Sequence, residues 1–219
     1  MVATMVKPGI FWVGVNDRTT DLFEGLWPIT NEGVSYNSYL ILDEKKVLVD
    51  LAKDHQVNAF LDQIRGLVDP GELDYIIVNH MEPDHTGLAR VIKKEAPNAT
   101  FLCTKRAKGM LDSFFGIADN VRVVDDGEEL SIGEKTLQFF SVPFVHWPET
   151  MVTFEQTERV LFSCDAFGGY GALAGNLFDD ESNDLDRYID EALRYYANIV
   201  ALFSRAVLRA IDKLAGLEI

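Results

Sequence analysis

The spacing of apolar residues along the chain predicts short strands joined by turns, with a few helices between them. Strands are expected where β-branched, aromatic and other apolar residues cluster between turn residues. The predicted strands are 9–15, 35–42, 46–50, 74–80, 100–104, 120–124, 128–132, 135–143, 150–156 and 159–165. The pair 150–156 and 159–165 is expected to form a hairpin across a Thr-Glu turn.

Helices are predicted where apolar residues recur at intervals of three and four. Val57, Phe60, Leu61, Ile64 and Leu67 follow this spacing within 55–68. The other predicted helices are 86–97, 105–116 and roughly 184–215, the last of which fits one helix or two. No linker or low-complexity stretch divides the 219 residues, so we expect one domain over 1–219. This order of elements indicates an α/β (α+β) fold with two packed sheets and helices outside them.

Composition excludes several classes of partner. A net charge of −15 argues against a nucleic-acid-binding surface, because phosphate neutralisation requires clustered Lys and Arg, and it also disfavours anionic membranes. No apolar run reaches the roughly 18 residues of a membrane span, and no charged segment precedes an apolar signal core. We therefore expect a cytoplasmic protein with no nucleic acid or membrane as partner. Cys103 and Cys164 are expected to be buried free thiols.

A polar cluster directly follows one of the predicted buried strands, in the segment IIVNHMEPDHTG. It contains His80, Glu82, Asp84 and His85, although the whole chain has only four histidines. In an extended segment the first three side chains would project to one side and His85 to the other, and Pro83 would prevent a regular helix. The segment is either a polar surface turn or a metal site, and this geometry could supply two adjacent metal ions.

Two more predicted strands lead to residues that can bind metal. His146 follows the strand 135–143, and Asp165 ends the strand 159–165. Loops that leave strand ends often carry function, because the sheet fixes their origin. Alone, His146 would be a core or surface histidine and Asp165 a turn carboxylate, but with the cluster they favour a metal site. His55, beside Asp54, is interpreted as a solvated surface residue.

The mixture of side chains favours iron over zinc. Imidazole binds zinc, copper and iron alike, whereas carboxylates shift the preference towards ferrous, ferric or manganous ions. Three carboxylates beside three histidines therefore look more like a di-iron site. A structural zinc is disfavoured because no thiolate is among these residues.

The motif also carries a family resemblance. The pattern His-x-Glu-x-Asp-His, from His80 to His85, resembles the signature of flavodiiron proteins, the rubredoxin:oxygen and nitric oxide oxidoreductases of the metallo-β-lactamase superfamily. Zinc hydrolases of that superfamily usually have a second histidine where this chain has Glu82. Further stretches match the pattern: LFEGLWPITNEGVSYNSYLI, VPFVHWPETMVTF, LFSCDAFGGYG and YYANIVALFSRAVLRAIDKLAGLEI. The similarity runs along nearly the whole chain.

The resemblance implies a four-layer αββα sandwich with two Fe ions, joined by an oxo or hydroxo bridge, at one edge of the sheets. By the family pattern, His80, Glu82 and His146 would hold one iron. Asp84 and His85 would hold the second, and Asp165 would bridge both.

Proteins of this family reduce O2 to water or NO to N2O. Their electrons come from a rubredoxin-type donor through FMN on a flavodoxin-like domain, usually that of the opposite subunit in a head-to-tail homodimer. Trp147, next to His146, is expected either to line the approach of the flavin or to pack in the core. Phe23, Trp27 and Tyr195 are candidates for a gas pocket, with core packing as the alternative.

The chain departs from the family pattern in two respects. The family has a last histidine ligand for the second iron shortly after the segment that ends here in LAGLEI, and no histidine follows His146. The flavodoxin-like domain is also missing, so FMN would belong to a missing domain or a partner chain. The di-iron domain would then be incomplete at its C-terminus. We expect a piece of a longer protein, with half of a split enzyme or a stand-alone form as alternatives.

Three functions are open at this point. The leading hypothesis is a di-iron oxidoreductase that reduces O2 or NO. The same site without a fused electron donor could be an O2- or NO-binding sensor module. A zinc hydrolase with a metal-bound hydroxide is a third hypothesis, against which Glu82 weighs. The glycines of GGYGALAG, residues 168–175, could suggest a phosphate cradle, but no P-loop lysine follows, so a flexible loop near the metals is expected.

Overall fold

The computed structural model describes residues 3–173, 177–182 and 184–219. Its strands are β1 (Thr4–Lys7), β2 (Ile10–Trp12), β3 (Val15–Asp17), β4 (Leu22–Phe23), β5 (Trp27–Pro28), β6 (Val34–Tyr36), β7 (Tyr39–Leu42), β8 (Lys46–Val49), β9 (Tyr75–Ile77), β10 (Thr100–Cys103), β11 (Val121–Val123), β12 (Glu129–Ser131), β13 (Thr136–Ser141), β14 (Met151–Glu155) and β15 (Val160–Phe162). Its α-helices are α1 (Val57–Arg65), α2 (Pro83–Thr86), α3 (Ala89–Glu95), α4 (Lys105–Phe115), α5 (Leu185–Tyr195) and α6 (Ser204–Leu214).

Two sheets carry most of these strands. The larger has the order β1-β2-β7-β8-β9-β10-β11, and its last four strands run parallel. The smaller has the order β12-β13-β14-β15, and all of its neighbours are antiparallel. The carboxyl ends of parallel strands lie at one edge of a sheet, so β8, β9 and β10 all open onto the same edge.

Three apolar clusters separate four layers of structure. In the first, Phe60 and Ile64 of α1 and Leu111 of α4 pack against the outer face of the large sheet. The second lies between the sheets, where Ile41 and Val49 are joined by residues of the small sheet such as Leu137 and Phe139. In the third, α6 packs on the outer face of the small sheet through Ala206 against Val142, Val145 and Val152. The layers therefore read helix, sheet, sheet, helix, and the predicted αββα sandwich is confirmed.

Two predicted strands are divided in the structure. The expected strand 9–15 is β2 followed by β3, and 35–42 is β6 followed by β7. The chain leaves the large sheet at Gly14, where a Cβ would come within 2.3 Å of the Tyr36 carbonyl oxygen, and β3 then pairs with β6 in a sheet of its own. This close approach of two backbones requires glycine there.

The predicted C-terminal helical region is divided too. A π-helical turn, Tyr196–Val200, and a 3₁₀ turn, Ala201–Phe203, separate α5 from α6. Across the described part of the chain, no helix combines the length and the apolar character needed to cross a membrane.

Candidate metal centre

Loops from both sheets meet at one edge of the sandwich. In the large sheet, β8 leads to Asp50 and β9 leads through Asn79 to His80. In the small sheet, β13 and β15 run opposite to β14, so their ends lie beside the start of β14. The sheets are joined here, because the Met151 backbone N–H donates to the Asn79 carbonyl oxygen at 3.0 Å. Side chains that follow these strands therefore converge in space.

The segment after β9 turns into a helix, which corrects the prediction that Pro83 prevents one. Pro83 is the first residue of α2, with Glu82 in the capping position. Proline suits that position because its missing N–H has no partner in the first turn of a helix. The turn also brings Asp84 and His85 to the same side, so the expected opposite direction of His85 is wrong.

The structure brings all six predicted metal-binding residues into two adjoining groups. The first group is His80, Glu82, His146 and Asp165, and the second is Asp84, His85 and Asp165. Within each group, one potential ligand atom from every residue lies within 4.8 Å of the others, and all of these residues are buried. Asp165 belongs to both groups.

The two oxygens of Asp165 face different histidines. Its Oδ2 lies 3.2 Å from His146 Nε2 and 3.3 Å from His80 Nε2. Its Oδ1 lies 2.9 Å from His85 Nε2. Glu82 Oε2 completes the first group, at 3.0 Å from His146 Nε2 and 3.3 Å from His80 Nε2. One carboxylate thus spans two positions, each surrounded by imidazole nitrogens and carboxylate oxygens.

The neighbouring carboxylates favour the protonated form of the histidines. Burial lowers the pKa of His80, but hydrogen bonds with Glu149 and Glu82 outweigh burial and raise it to about 9. Burial likewise lowers the pKa of His146, whose contacts with Asp165 and Glu82 raise it to about 8. The pKa of Glu82 is correspondingly lowered to about 2, because its bonds to the two histidines outweigh burial. A metal ion would have to displace these protons.

Asp84 is the residue least satisfied by its surroundings. Burial, reinforced by the charges of Asp165 and Glu82, raises its pKa to about 7 although His85 offsets part of the effect. Its Oδ1 is buried and receives no hydrogen bond from any residue that the structure describes. Buried carboxylate oxygens normally have a partner, and a cation would supply one. The donor set of three histidines and three carboxylates fits a pair of iron ions.

Two buried carboxylates near the histidines were not predicted from the sequence. Glu149 Oε1 lies 2.9 Å from His80 Nδ1, and Asp50 Oδ2 lies 3.8 Å from His85 Nδ1. Asp50 carries the signal used for Asp165, because it ends a predicted strand, 46–50. Glu149 lies three residues after His146 in a loop, and no pattern in the sequence connects it to His80.

Trp147 lies against the histidines rather than at a distance from them. Its ring packs edge-on against the His80 ring, with centroids 5.3 Å apart, and its centroid lies 6.3 Å from that of His146. The side chain is half-buried and contacts the core. Both expected roles, lining an approach to the site and packing, are compatible with this position.

A cavity of about 350 Å³ opens beside Asp165. Of the three aromatic candidates, Tyr195 lines it, whereas Phe23 and Trp27 pack in an aromatic cluster with Tyr170. Burial and the charge of Asp165 raise the pKa of Tyr195 well above its ordinary value, so its hydroxyl keeps its proton. The remaining lining residues are small or apolar, or are tyrosines: Ala166, Phe167, Gly168, Tyr188, Ile189, Ala192, Leu193, Tyr196 and Val200.

The glycine-rich stretch after Asp165 packs closely against α5. A Cβ on Gly168 would lie 2.7 Å from the Tyr195 ring, so glycine lets that ring approach the loop. The Gly171 N–H donates to the Gly33 carbonyl at 3.1 Å, and Arg18 Nη2 donates to the Ala172 carbonyl at 2.8 Å. Residues of the stretch 168–173 therefore make hydrogen bonds with the loops around Arg18 and Gly33, and 174 and 175 lie outside the described residues.

His55 differs in part from its interpretation as a solvated residue. Its side chain is 38% exposed, but its Nε2 lies 2.7 Å from Oδ2 of the buried Asp17, and Asp54 is 4.0 Å away. It belongs to neither metal-binding group.

Comparisons with known proteins agree with this geometry. The family model described as "ODP family beta lactamase" matches residues 34–219. A nitric oxide reductase of Moorella thermoacetica is 35% identical over 98% of this chain and 53% of its own length. The flavodiiron protein from Giardia intestinalis has a TM-score of 0.94 at 33% identity, over 100% of this chain and 53% of that one. The rubredoxin oxygen:oxidoreductase from Desulfovibrio gigas has a TM-score of 0.92 at 32% identity, over 98% and 53%.

The chain thus spans about half the length of the curated relatives that it matches. The resemblance to flavodiiron proteins seen in the sequence is confirmed by both kinds of comparison. Because the family model covers most of the sequence, the chain belongs to the ODP beta-lactamase family.

Proposed function

We propose that this chain is the di-iron domain of an oxidoreductase that reduces O2 to water, NO to N2O, or both. The observation that carries the proposal is the position of Asp165, whose two oxygens face separate groups of histidine and carboxylate ligands. His80, Glu82 and His146 would hold one iron, Asp84 and His85 the other, and Asp165 would contact both. Two iron ions bound there would supply the electron transfer that both reductions require.

The cavity beside Asp165 supports a small uncharged substrate. No lysine or arginine is among the described residues that line it, so an anionic ester or lactam would find no counter-charge among them. The Tyr195 hydroxyl, which keeps its proton next to Asp165, is a hydrogen-bond donor in a cavity whose other lining residues are mostly apolar. These features favour a diatomic gas over a hydrolase substrate.

We also propose that residues 1–219 act with partners. Electrons would come from FMN on a flavodoxin-like domain or chain, supplied by a rubredoxin-type donor, in a head-to-tail homodimer. The relatives are about twice as long as this chain, and the one from Desulfovibrio gigas is named a rubredoxin oxygen:oxidoreductase. Trp147, half-buried against His80, would lie on the approach from the flavin. A cytoplasmic location remains the prediction from the sequence.

The test is metal content followed by turnover. Protein purified without added metal should contain two irons per chain, and the reduced protein should form N2O from NO or consume O2 when a reduced flavin is supplied. The same protein loaded with zinc is the redox-inert control. Two zinc ions after purification, with esterase or lactamase activity, would contradict the proposal and favour the hydrolase. Two irons that bind gas without turnover would favour the sensor.

A further inference from the structure

Glu149 holds His80 in place from the side opposite the proposed metal position. Its Oε1 lies 2.9 Å from His80 Nδ1 and also accepts the Met81 backbone N–H at 2.9 Å. The Glu149 side chain is fully buried. One oxygen thus fixes both the imidazole and the backbone of the residue that follows it.

The structure also fixes Glu149 itself. The Thr104 hydroxyl, at the end of β10, donates to the Glu149 carbonyl oxygen at 2.9 Å. The next residue, Thr150, is tied to the small sheet, because its carbonyl oxygen accepts the Val142 N–H at 2.9 Å. The carboxylate that supports His80 therefore extends from backbone that both sheets hold.

The contact with Glu149 decides which nitrogen of His80 is available to bind a metal ion. An ionised carboxylate can only accept hydrogen bonds, so Nδ1 must carry the proton that it donates to Glu149. The lone pair of Nε2 is then the one directed at the metal position, where Glu82 Oε2 and Asp165 Oδ2 each lie 3.3 Å away. Carboxylates in this arrangement orient a histidine ligand and make it more basic.

His85 lacks an equivalent support. Its Nδ1 makes no hydrogen bond with the described residues, and the nearest carboxylate oxygen, Asp50 Oδ2, is 3.8 Å away. Asp50 is engaged elsewhere, because its two oxygens accept hydrogen bonds from the Asn79 backbone at 2.8 Å and the Asn79 side chain at 3.2 Å. His80 and His85 are therefore held by the surrounding protein to different degrees.

We propose that Glu149 is a positioning residue that makes the two metal positions unequal, so that the group containing His80 binds its ion more tightly and fills first. The inference rests on the proposed two-metal function. Loss of the carboxylate should weaken the ion at His80 and leave the ion at His85 nearly unchanged.

Glu155, the last residue of β14, provides a matched control. It is also a fully buried glutamate, and among the described residues its oxygens accept hydrogen bonds from the backbone N–H groups of Thr157 at 2.9 Å and Glu158 at 2.7 Å. Removing it should destabilise the fold without touching a metal position. Any effect of Glu149→Ala that Glu155→Ala lacks is then due to the contacts of Glu149 with His80 and the Met81 backbone.

The experiment is a titration of the metal-free chain with Co²⁺ against a competing chelator, followed by visible absorption. The parent chain should bind two ions with different affinities. Glu149→Ala should lower the higher affinity by about 10–100-fold, and Glu155→Ala should change neither affinity. Glu149→Gln, which keeps an acceptor oxygen, should restore most of the binding. If the alanine variant does not fold, Glu149→Met, which keeps the side-chain volume without a carboxylate, should show the same loss.

A second readout reports on the protonation of His80 rather than on metal affinity. In zinc-loaded protein with ¹⁵N-labelled histidine, the His80 Nδ1–H signal should be present, with the metal on Nε2, and it should be lost in Glu149→Ala. Zinc bound to Nδ1, or two cobalt ions whose affinities Glu149→Ala leaves unchanged, would overturn the inference while the two-metal proposal stands. A parent chain that binds no cobalt would overturn both.

Discussion

Two regions of this molecule pair a histidine with a buried aspartate, and only one of them has the character of a metal site. His55 Nε2 lies 2.7 Å from Asp17 Oδ2, and His85 Nε2 lies 2.9 Å from Asp165 Oδ1. Both aspartate side chains are largely buried, at 0% and 9% exposure. Distance and burial alone do not distinguish the two regions.

The difference lies in the other partners of each carboxylate. Asp17 accepts hydrogen bonds from the backbone and hydroxyl groups of Thr19 and Thr20 and from the Tyr36 hydroxyl, as well as its contact with His55. Burial raises its pKa, but these hydrogen bonds outweigh burial and hold the pKa well below its usual range. The protein itself supplies every donor that this carboxylate needs.

The metal-binding groups have carboxylates in excess of donors. Glu82 and Asp165 share the same two histidines, and Asp84 Oδ1 has no donor among the described residues. Their negative charges repel one another, which raises the free-energy cost of keeping each carboxylate ionised, and a bound cation would offset that cost. A surplus of acceptor oxygens, rather than the presence of a histidine–carboxylate pair, marks the metal site.

The largest effect should follow from removing the shared carboxylate. Asp165→Ala deletes a ligand from both groups, so the affinity for both ions should fall by more than about 100-fold, beyond what loss of a supporting residue costs. Metal content after iron loading and desalting measures this. Asp17→Asn is the control and should keep two irons per chain. If Asp165→Ala kept as much iron as the parent chain, the surplus of acceptor oxygens around Asp165 would not mark a metal site.

The stability of the metal-free protein and that of the metal-loaded protein should depend differently on pH. His80 and His146 have folded-state pKa values of about 9 and about 8, above the ordinary 6.5. Their contribution to the stability of the metal-free fold is therefore complete below pH 6.5 and lost as the pH rises through about 8 to 9. Metal affinity should rise over the same window, by roughly tenfold per pH unit for each proton displaced.

Thermal unfolding between pH 6.5 and 9, with zinc or with chelator, measures this divergence. The melting temperature of the loaded protein minus that of the metal-free protein should increase with pH. Asp17 does not affect this window, because its lowered pKa makes its contribution disappear only as the pH falls well below 3.8. A difference that stays constant with pH would contradict the role of the histidines.

Asp84→Asn should have opposite effects on the two states. At pH 8, the buried carboxylate with a pKa of about 7 is mostly ionised and destabilises the metal-free fold. The variant should therefore melt about 2–4 °C higher without metal, the shift expected for about 1 kcal/mol in a chain of this size. With zinc, it should melt lower and bind one ion more weakly. A decrease in the melting temperature both with and without zinc would indicate a purely structural role for Asp84.

The smallest effect is expected at His55 and Asp17, where the protein supplies the hydrogen-bond donors that the carboxylate needs. His55→Gln removes a contact to Asp17 at a side chain that is 38% exposed, so the free energy of unfolding should fall by ~1 kcal/mol or less and metal content should not change. Chemical denaturation measures the first and elemental analysis the second. Loss of an iron in His55→Gln would show that the two regions are coupled.

Much of the metal centre could be predicted, because its residues follow strands whose apolar pattern is clear. His80, His146 and Asp165 each lie within five residues of a strand end, and the structure brings them together with Glu82. The direction of His85 was not predicted, because the pattern did not reveal that Pro83 begins a helical turn. Glu149 was missed because its partner His80 is 69 residues away.

The sequence by itself determined the types of the elements, their approximate bounds and the side chains that can bind metal. These follow from local rules, namely the period of apolar residues and the chemistry of each side chain. Only the tertiary structure decided which carboxylates receive all their hydrogen bonds from the protein. Asp17 and Asp165 are both acidic residues at or just after a strand, but one meets threonine and tyrosine hydroxyls and the other meets histidines from two other loops. That difference depends on contacts between distant segments, which no local pattern encodes.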